Sequence, residues 1–113
     1  FPDEIVYCGV APVYVPYTDP GVPLACVVRD MMHRYMDSHG EVPKVMLMQN
    51  HGLIALGNTA GHVENITAMA VKAARVLLGT FALGGPRFMA AEAVARIHTR
   101  PDEQYRRLEW GRE

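Results

Sequence analysis

The chain has 113 residues, with 11 basic and 12 acidic side chains and a formal net charge of -1. This balance argues against a nucleic-acid-binding protein, because binding to a polyanion depends on clustered Lys and Arg. Half of the residues are hydrophobic and a fifth are charged, which predicts one compact domain and excludes a disordered chain.

Cysteine usage and the chain start indicate the setting. Cys8 and Cys26 are too few for a disulfide scaffold and do not form a CxxC pair, so we expect reduced thiols in a cytoplasmic protein. No basic segment leads into an apolar stretch, and we expect no membrane association. The chain starts at Phe1 without a methionine, which suggests a processed or truncated chain.

The first third of the chain predicts two strands and a helix. Residues 5–8 and 13–17 are short β-branched and aromatic runs, and Pro16 favours an edge position for the second. Asp19 is expected to cap a helix that begins at Pro20, continues to about Ser38 and ends at Gly40.

The middle of the chain predicts a buried hairpin. Residues 45–48 and 53–56 are continuously apolar, which is typical of strands covered on both faces. Residues 49–52 between them, Gln-Asn-His-Gly, are all compatible with a turn. His51 is therefore expected at the tip of the hairpin.

The rest of the chain is predicted to be helical. Thr59 is expected to cap a helix over residues 61–83 whose apolar stripe faces the core, and Gly84-Gly85-Pro86 to end it. A shorter helix is predicted over residues 90–98. The charge-rich stretch from Pro101 has a helical period, and we expect it to be exposed and mobile.

Strands between helices predict an α/β layered fold. We divide the chain into a domain over residues 1–85 and a helical tail over residues 86–113. Four short strands, two of them apolar on both faces, make a poor sheet by themselves. We therefore expect either preceding chain that completes the sheet or a tight oligomer.

His51 is the leading candidate for chemistry. An imidazole at the tip of a hairpin between buried strands is well oriented for metal ligation, although a histidine that only hydrogen-bonds its own turn is equally compatible with the pattern. The chain has no HxH or HExxH pair, so it does not assemble a metal site by itself. Surface or capping roles are expected for the four other histidines, His33, His39, His62 and His98.

Tyrosines are the candidate proton donors. Among the five in the chain, those expected on turns or tails, where a substrate has access, are Tyr7, Tyr17 and Tyr105.

Three segments together resemble the class II aldolase/adducin family. They are residues 17–21 (Tyr-Thr-Asp-Pro-Gly), residues 45–57 with the Asn-His-Gly turn, and the long helix that contains Glu64-Asn65. The Asn-His-Gly hairpin is the most specific element. The resemblance extends over about residues 5–83 and covers the later half of the family's domain.

This resemblance implies a three-layer α/β/α domain that assembles as a four-fold homotetramer. It also implies a divalent metal, usually zinc, held by three histidines, of which His51 matches one; the other two belong to an HxH motif upstream of Phe1. Tyr7 and Tyr105 lie in regions comparable to those that contribute catalytic side chains in the family, although neither matches a motif.

The activity implied is that of a class II aldolase-type carbon–carbon lyase. The substrate would be a small sugar phosphate or another aldehyde or ketone with hydroxyl groups, cleaved through a metal-stabilised enediolate. A sugar-phosphate 4-epimerase and a non-catalytic, adducin-like interaction module are the alternatives that the pattern leaves open.

Overall fold

The computed structural model describes residues 1–110, which form a mixed α/β fold. The elements in chain order are α1 (Pro2–Cys8), β1 (Val13–Val15), α2 (Val22–His39), β2 (Val45–Met48), β3 (Gly52–Ala55), α3 (Ala60–Phe81), α4 (Ala91–Thr99) and α5 (Pro101–Trp110). None of these helices is both long and apolar enough to cross a bilayer.

The described strands form one sheet in the order β1-β2-β3. β1 pairs in parallel with β2, with Val15 opposite Met48, and α2 makes the crossover that a parallel pair needs. β2 pairs antiparallel with β3, with Met48 opposite Gly52. The predicted hairpin is therefore confirmed, and so are the second strand and its edge position in the described sheet.

The prediction of a strand at residues 5–8 is wrong, because these residues belong to helix α1. Pro2 lies in the first turn, and Asp3 and Glu4 place negative charge at the helix N-terminus. Ile5 and Val6 are buried in one apolar cluster and Cys8 in another. Burial of the helical faces outweighs the β propensity of four residues.

Helix α2 begins later than predicted. Its first residue is Val22 and its N-cap is Gly21, whereas Asp19 lies outside the helix and accepts a hydrogen bond from the Tyr17 hydroxyl. Pro23, not Pro20, is the proline of the first helical turn. The helix ends as predicted, with Gly40 in the left-handed conformation at φ 70°.

The core lies on the two faces of β2, because consecutive strand residues point to opposite sides. Met46 is buried with Val15 and Tyr35 on the α2 side, and Val45 is buried with Ile66 on the α3 side. Leu47 remains 38% exposed and β3 is only half-buried. The expectation that both strands are covered on both faces is therefore wrong beyond the first half of β2.

Helix α3 is confirmed, and the Thr59 hydroxyl accepts from the backbone N–H of His62 at 3.1 Å. Its predicted inner stripe is only partly correct. Ile66 is fully buried, but Val76 and Leu77 are 47% and 41% exposed. The reason is that β3 and α1 extend along the first half of α3 and leave its last turns uncovered within the described residues.

The two last helices pack on α1. Ile97 of α4 is buried against Ile5 and Val6, and His98 lies 3.2 Å from a carboxylate oxygen of Glu41. The predicted helix at residues 90–98 is confirmed. The division at residue 85 and the mobility of the tail stay predictions, and residues 111–113 of that tail lie outside the described part.

Candidate functional site

The candidate site lies at the end of the sheet, here called the sheet edge, where the carboxyl ends of β1 and β2 lie side by side. The two strands are parallel and in register at Val15 and Met48, so the segments that follow them leave the sheet side by side. The turn with His51 follows β2, and Pro16 to Asp19 follow β1. In open α/β sheets, ligands bind outside the carboxyl ends of the strands.

The turn holds His51 on a short, fixed path. Its backbone N–H donates to the carbonyl of Met48 at 3.1 Å, which closes a three-residue connection between β2 and β3. Asn50 adopts φ 54°, a left-handed conformation that Asn tolerates better than most residues. The His51 side chain is exposed and makes no hydrogen bond or ion pair within residues 1–110.

Gln49 braces this turn against the segment after β1. Its backbone N–H donates to the Val15 carbonyl at 2.9 Å, and its side-chain Oε1 accepts from the backbone N–H of Tyr17 at 3.1 Å. Pro16 has no backbone N–H to donate. The two hydrogen bonds of Gln49 therefore take the place of regular strand pairing between β1 and β2 at this point. The brace fixes both segments relative to each other.

Three polar side chains, those of Tyr17, Thr18 and Asp19, lie in the segment that Gln49 holds. The Tyr17 hydroxyl donates to Oδ1 of Asp19 at 3.3 Å, and Tyr17 is 56% exposed. The Thr18 hydroxyl donates to the Pro16 carbonyl at 3.1 Å, which folds the segment back on itself. The edge thus carries an imidazole, a phenol and a carboxylate, all accessible to solvent.

Sequence reasoning missed the roles of Gln49 and Asp19. It treated Gln49 only as a turn residue and Asp19 only as a helix cap. A usable signal was Pro16, since a proline that ends an edge strand leaves its neighbours in need of a side-chain partner. The partner itself could not be chosen without the parallel pairing of β1 with β2.

His62 lies away from His51, at the other end of β3. Its Nδ1 accepts from the backbone N–H of Asn58 at 3.3 Å, and burial, followed by the charge of Lys44, lowers its pKa. Lys44 comes directly before β2, and its backbone carbonyl accepts a hydrogen bond from the backbone N–H of Leu56, directly after β3. His62 therefore stabilises the N-terminus of α3 through its hydrogen bonds to Asn58 and Thr59. The structure does not bring it together with His51.

The two tyrosines proposed as catalytic residues lie on helices and not on the sheet edge. Tyr7 is on α1, half-buried against the cluster of Cys8, Val45 and Ile66, so its expected position on a turn is wrong. Tyr105 is on α5 and 64% exposed. α1 and α5 pack against each other, so the two residues belong to neighbouring elements. Their catalytic roles stay predictions.

Metal ligation needs more groups than this edge supplies. No cluster of three or more His, Cys, Asp or Glu side chains that could hold an ion occurs among the described residues, whereas a catalytic zinc has three protein ligands. The His51 side chain is exposed and could supply one such ligand. The described chain thus fits one ligand of such a site and does not fit a complete one.

A concave surface, the apolar groove, lies between α1, the exposed face of β2 and the last turns of α3. It has a volume of about 600 Å³ and its lining includes Phe1, Leu47, Ala73, Leu77 and Phe88. The Cys8 thiol also lines it, and burial, followed by the charge of Glu4, raises its pKa to about 11. A neutral thiol in an apolar groove offers no chemistry comparable to that of the sheet edge.

The comparisons with known proteins point to one family. The family model described as the class II aldolase and adducin N-terminal domain matches residues 2–78. The matched region contains the three strands, the braced turn and most of α3. No curated protein and no solved structure matches the chain.

Proposed function

The chain belongs to the class II aldolase and adducin family, and on that premise we propose that it is part of a metal-dependent, aldolase-type carbon–carbon lyase. The substrate is a small sugar phosphate or another hydroxycarbonyl compound. One observation carries the proposal: an exposed histidine on a braced turn, at the carboxyl ends of two parallel strands, in the region that the family model matches.

His51 acts as one ligand of a divalent cation, most simply zinc. Its imidazole is exposed, and the backbone of its turn is fixed by the bonds from His51 to Met48 and from Gln49 to Val15, so ligation costs little ordering. The remaining ligands come from outside the described residues. When bound, the cation supplies Lewis-acid stabilisation of the negative charge that forms as a carbon–carbon bond breaks beside a carbonyl.

Tyr7 and Tyr105 are proposed as candidate proton donors to the same substrate. The exposed phenol of Tyr105 is accessible without rearrangement, since 64% of its surface faces solvent. Tyr7 is half-buried and would act from the α1 side. Phenols can act as general acids in such sites.

The proposal extends to the architecture of the whole protein. Residues 1–85 form the later half of a three-layer α/β/α domain, residues 86–113 form the C-terminal tail, and the protein assembles as a homotetramer in the cytoplasm. The three-stranded sheet and the apolar groove support a further layer or subunit, which would bury them. The cytoplasmic setting is supported by the two cysteines, which form no disulfide in the described structure.

The test is the metal content of the full-length protein, measured by elemental analysis and native mass spectrometry. His51→Ala should lose bound metal and lyase activity. His33→Ala is the matched control, because His33 is also an exposed histidine but lies on α2. Stoichiometric metal in His51→Ala, at the level of the control, would refute the assignment.

A non-catalytic, adducin-like interaction module is the second candidate. It is favoured by large apolar side chains that face solvent at the end of α3 and shortly after it, since Leu78, Phe81 and Phe88 are 72%, 65% and 82% exposed. Exposed apolar patches mark interaction surfaces. Absence of both metal and lyase activity in the full-length wild-type protein would favour this candidate.

A further inference from the structure

Gln49 connects two segments that carry polar side chains. Two hydrogen bonds join this residue to β1 and the segment after it. The backbone N–H of Gln49 donates to the Val15 carbonyl at 2.9 Å, and its side-chain oxygen accepts from the backbone N–H of Tyr17 at 3.1 Å. The side-chain bond spans 32 positions of sequence. It is a tertiary contact and not a local feature of the turn.

The side-chain bond determines where Tyr17 and Asp19 lie. Pro16 ends the regular pairing of β1 with β2, so the backbone N–H of Tyr17 donates to the amide oxygen of Gln49 and not to a neighbouring strand. The Tyr17 hydroxyl in turn donates a hydrogen bond to the Asp19 carboxylate. Loss of the amide oxygen would release the segment that carries both side chains from the turn that carries His51.

The chemistry of this pair is that of a receptor for hydroxyl groups. A carboxylate accepts hydrogen bonds at both oxygens, and a phenol both donates and accepts. The bond between them is long, at 3.3 Å, and exposed, so a ligand hydroxyl can compete for either partner at low cost. Hydroxyl groups are what a sugar or a hydroxyketone presents.

We propose that Gln49 is a positioning residue that holds Tyr17 and Asp19 beside the His51 turn, and that this pair binds hydroxyl groups of the substrate. The inference rests on the proposed function, because it takes the sheet edge with His51 as the substrate site. It adds the residues that bind the hydroxyl groups of that substrate.

The positioning role can be tested without any ligand. In the full-length protein, Gln49→Leu should speed amide hydrogen exchange at Tyr17, followed by NMR, by about tenfold, which corresponds to about 1.4 kcal/mol and lies within the range for a net hydrogen bond. Gln49→Glu retains an acceptor at the same distance and should keep the protection. Gln104→Leu, at an exposed glutamine on α5, is the matched control. Unchanged exchange at Tyr17 in Gln49→Leu overturns the inference.

The recognition role is tested with dihydroxyacetone phosphate as the probe, in zinc-containing buffer. Its dissociation constant should rise by about tenfold in Gln49→Leu, Tyr17→Phe and Asp19→Asn, the loss expected for one hydrogen bond. Gln104→Leu should bind within about twofold of wild type. Thermal unfolding of each variant separates a loss of binding from a loss of folding.

Three outcomes distinguish the inference from the function on which it rests. Wild-type binding by Tyr17→Phe and Asp19→Asn, together with lost binding by His51→Ala, overturns the inference and leaves the proposed function intact. Wild-type binding by His51→Ala refutes the proposed site. Absence of binding by the wild-type protein overturns the proposed function and, with it, the role of the pair.

Discussion

The Cys8 thiol on α1 donates to the backbone carbonyl of Ile66 on α3, with 3.8 Å between sulfur and oxygen and 58 positions of sequence between the residues. Ile66 is fully buried and Cys8 is 6% exposed. Both belong to the cluster with Val45 that packs α1 and α3 on one face of the sheet. This contact joins α1 to α3 where both pack on Val45 of the sheet.

Truncation of Ile66 should strongly destabilise the protein. Ile66→Ala removes three methyl or methylene groups from a fully buried position, and such cavities cost about 2–5 kcal/mol in free energy of unfolding. Leu78→Ala is the control on the same helix, because Leu78 is 72% exposed and should change stability by less than about 0.5 kcal/mol. Urea denaturation of both variants provides the comparison, and equal losses would contradict the packing described.

Cys8 should react slowly with thiol reagents in the folded protein. Its pKa is raised to about 11 by burial and then by the charge of Glu4, so only about one molecule in a thousand carries the thiolate at pH 8. Cys26, which is partly exposed, should be alkylated first by iodoacetamide, with both cysteines labelled in urea. Mass spectrometry of the two peptides measures the order. Equal labelling rates in the native state would contradict it.

The same shift predicts a loss of stability at alkaline pH. The folded-state pKa of Cys8 lies above the ordinary thiol value of 9.0, so above pH 9 the unfolded state binds fewer protons than the native state and the free energy of unfolding falls as pH rises. The loss continues up to about pH 11. Cys8→Ala should show a shallower decline between pH 9 and pH 11 in urea titrations, and an identical slope would refute this source.

His62 should make the protein sensitive to acid. Burial and the charge of Lys44 lower its folded-state pKa below the ordinary imidazole value of 6.5, so the unfolded state takes up protons first and stability decreases as pH falls below 6.5. Protonation also blocks Nδ1, which accepts from Asn58. His62→Asn keeps an acceptor near that place but cannot titrate, and should weaken the acid dependence. His33→Asn is the exposed control in the same urea titrations, and an equal effect in both variants would count against His62.

The turn that carries His51 should depend on residue 50. Asn50 is in the left-handed region at φ 54°, which costs most side chains about 1–2 kcal/mol. Asn50→Val should therefore lower the free energy of unfolding by about that amount, and Asn50→Gly should change it by less than about 1 kcal/mol. Thermal denaturation distinguishes the two, and a Val variant as stable as wild type would exclude this conformation.

Much of the secondary structure follows from the sequence alone. The apolar runs at residues 45–48 and 53–56 and the turn residues between them are sufficient for the hairpin, because a short apolar run, chain reversal and glycine tolerance are local properties. Thr59 at the start of α3 and Gly40 at the end of α2 likewise act through their own neighbours. His51 at the tip of the hairpin follows from the same local rules.

The tertiary structure decided what depends on distant partners. Residues 5–8 are locally compatible with a strand, and only burial against Ile66 and Ile97 makes them part of a helix. The C-terminal turns of α3 look amphipathic in sequence, yet no described element covers them. Gln49 acquires its role only because β1 pairs in parallel with β2 and brings Tyr17 within 3.1 Å. Hydrogen bonds and burial between residues far apart in the chain are set by packing, which local propensity does not encode.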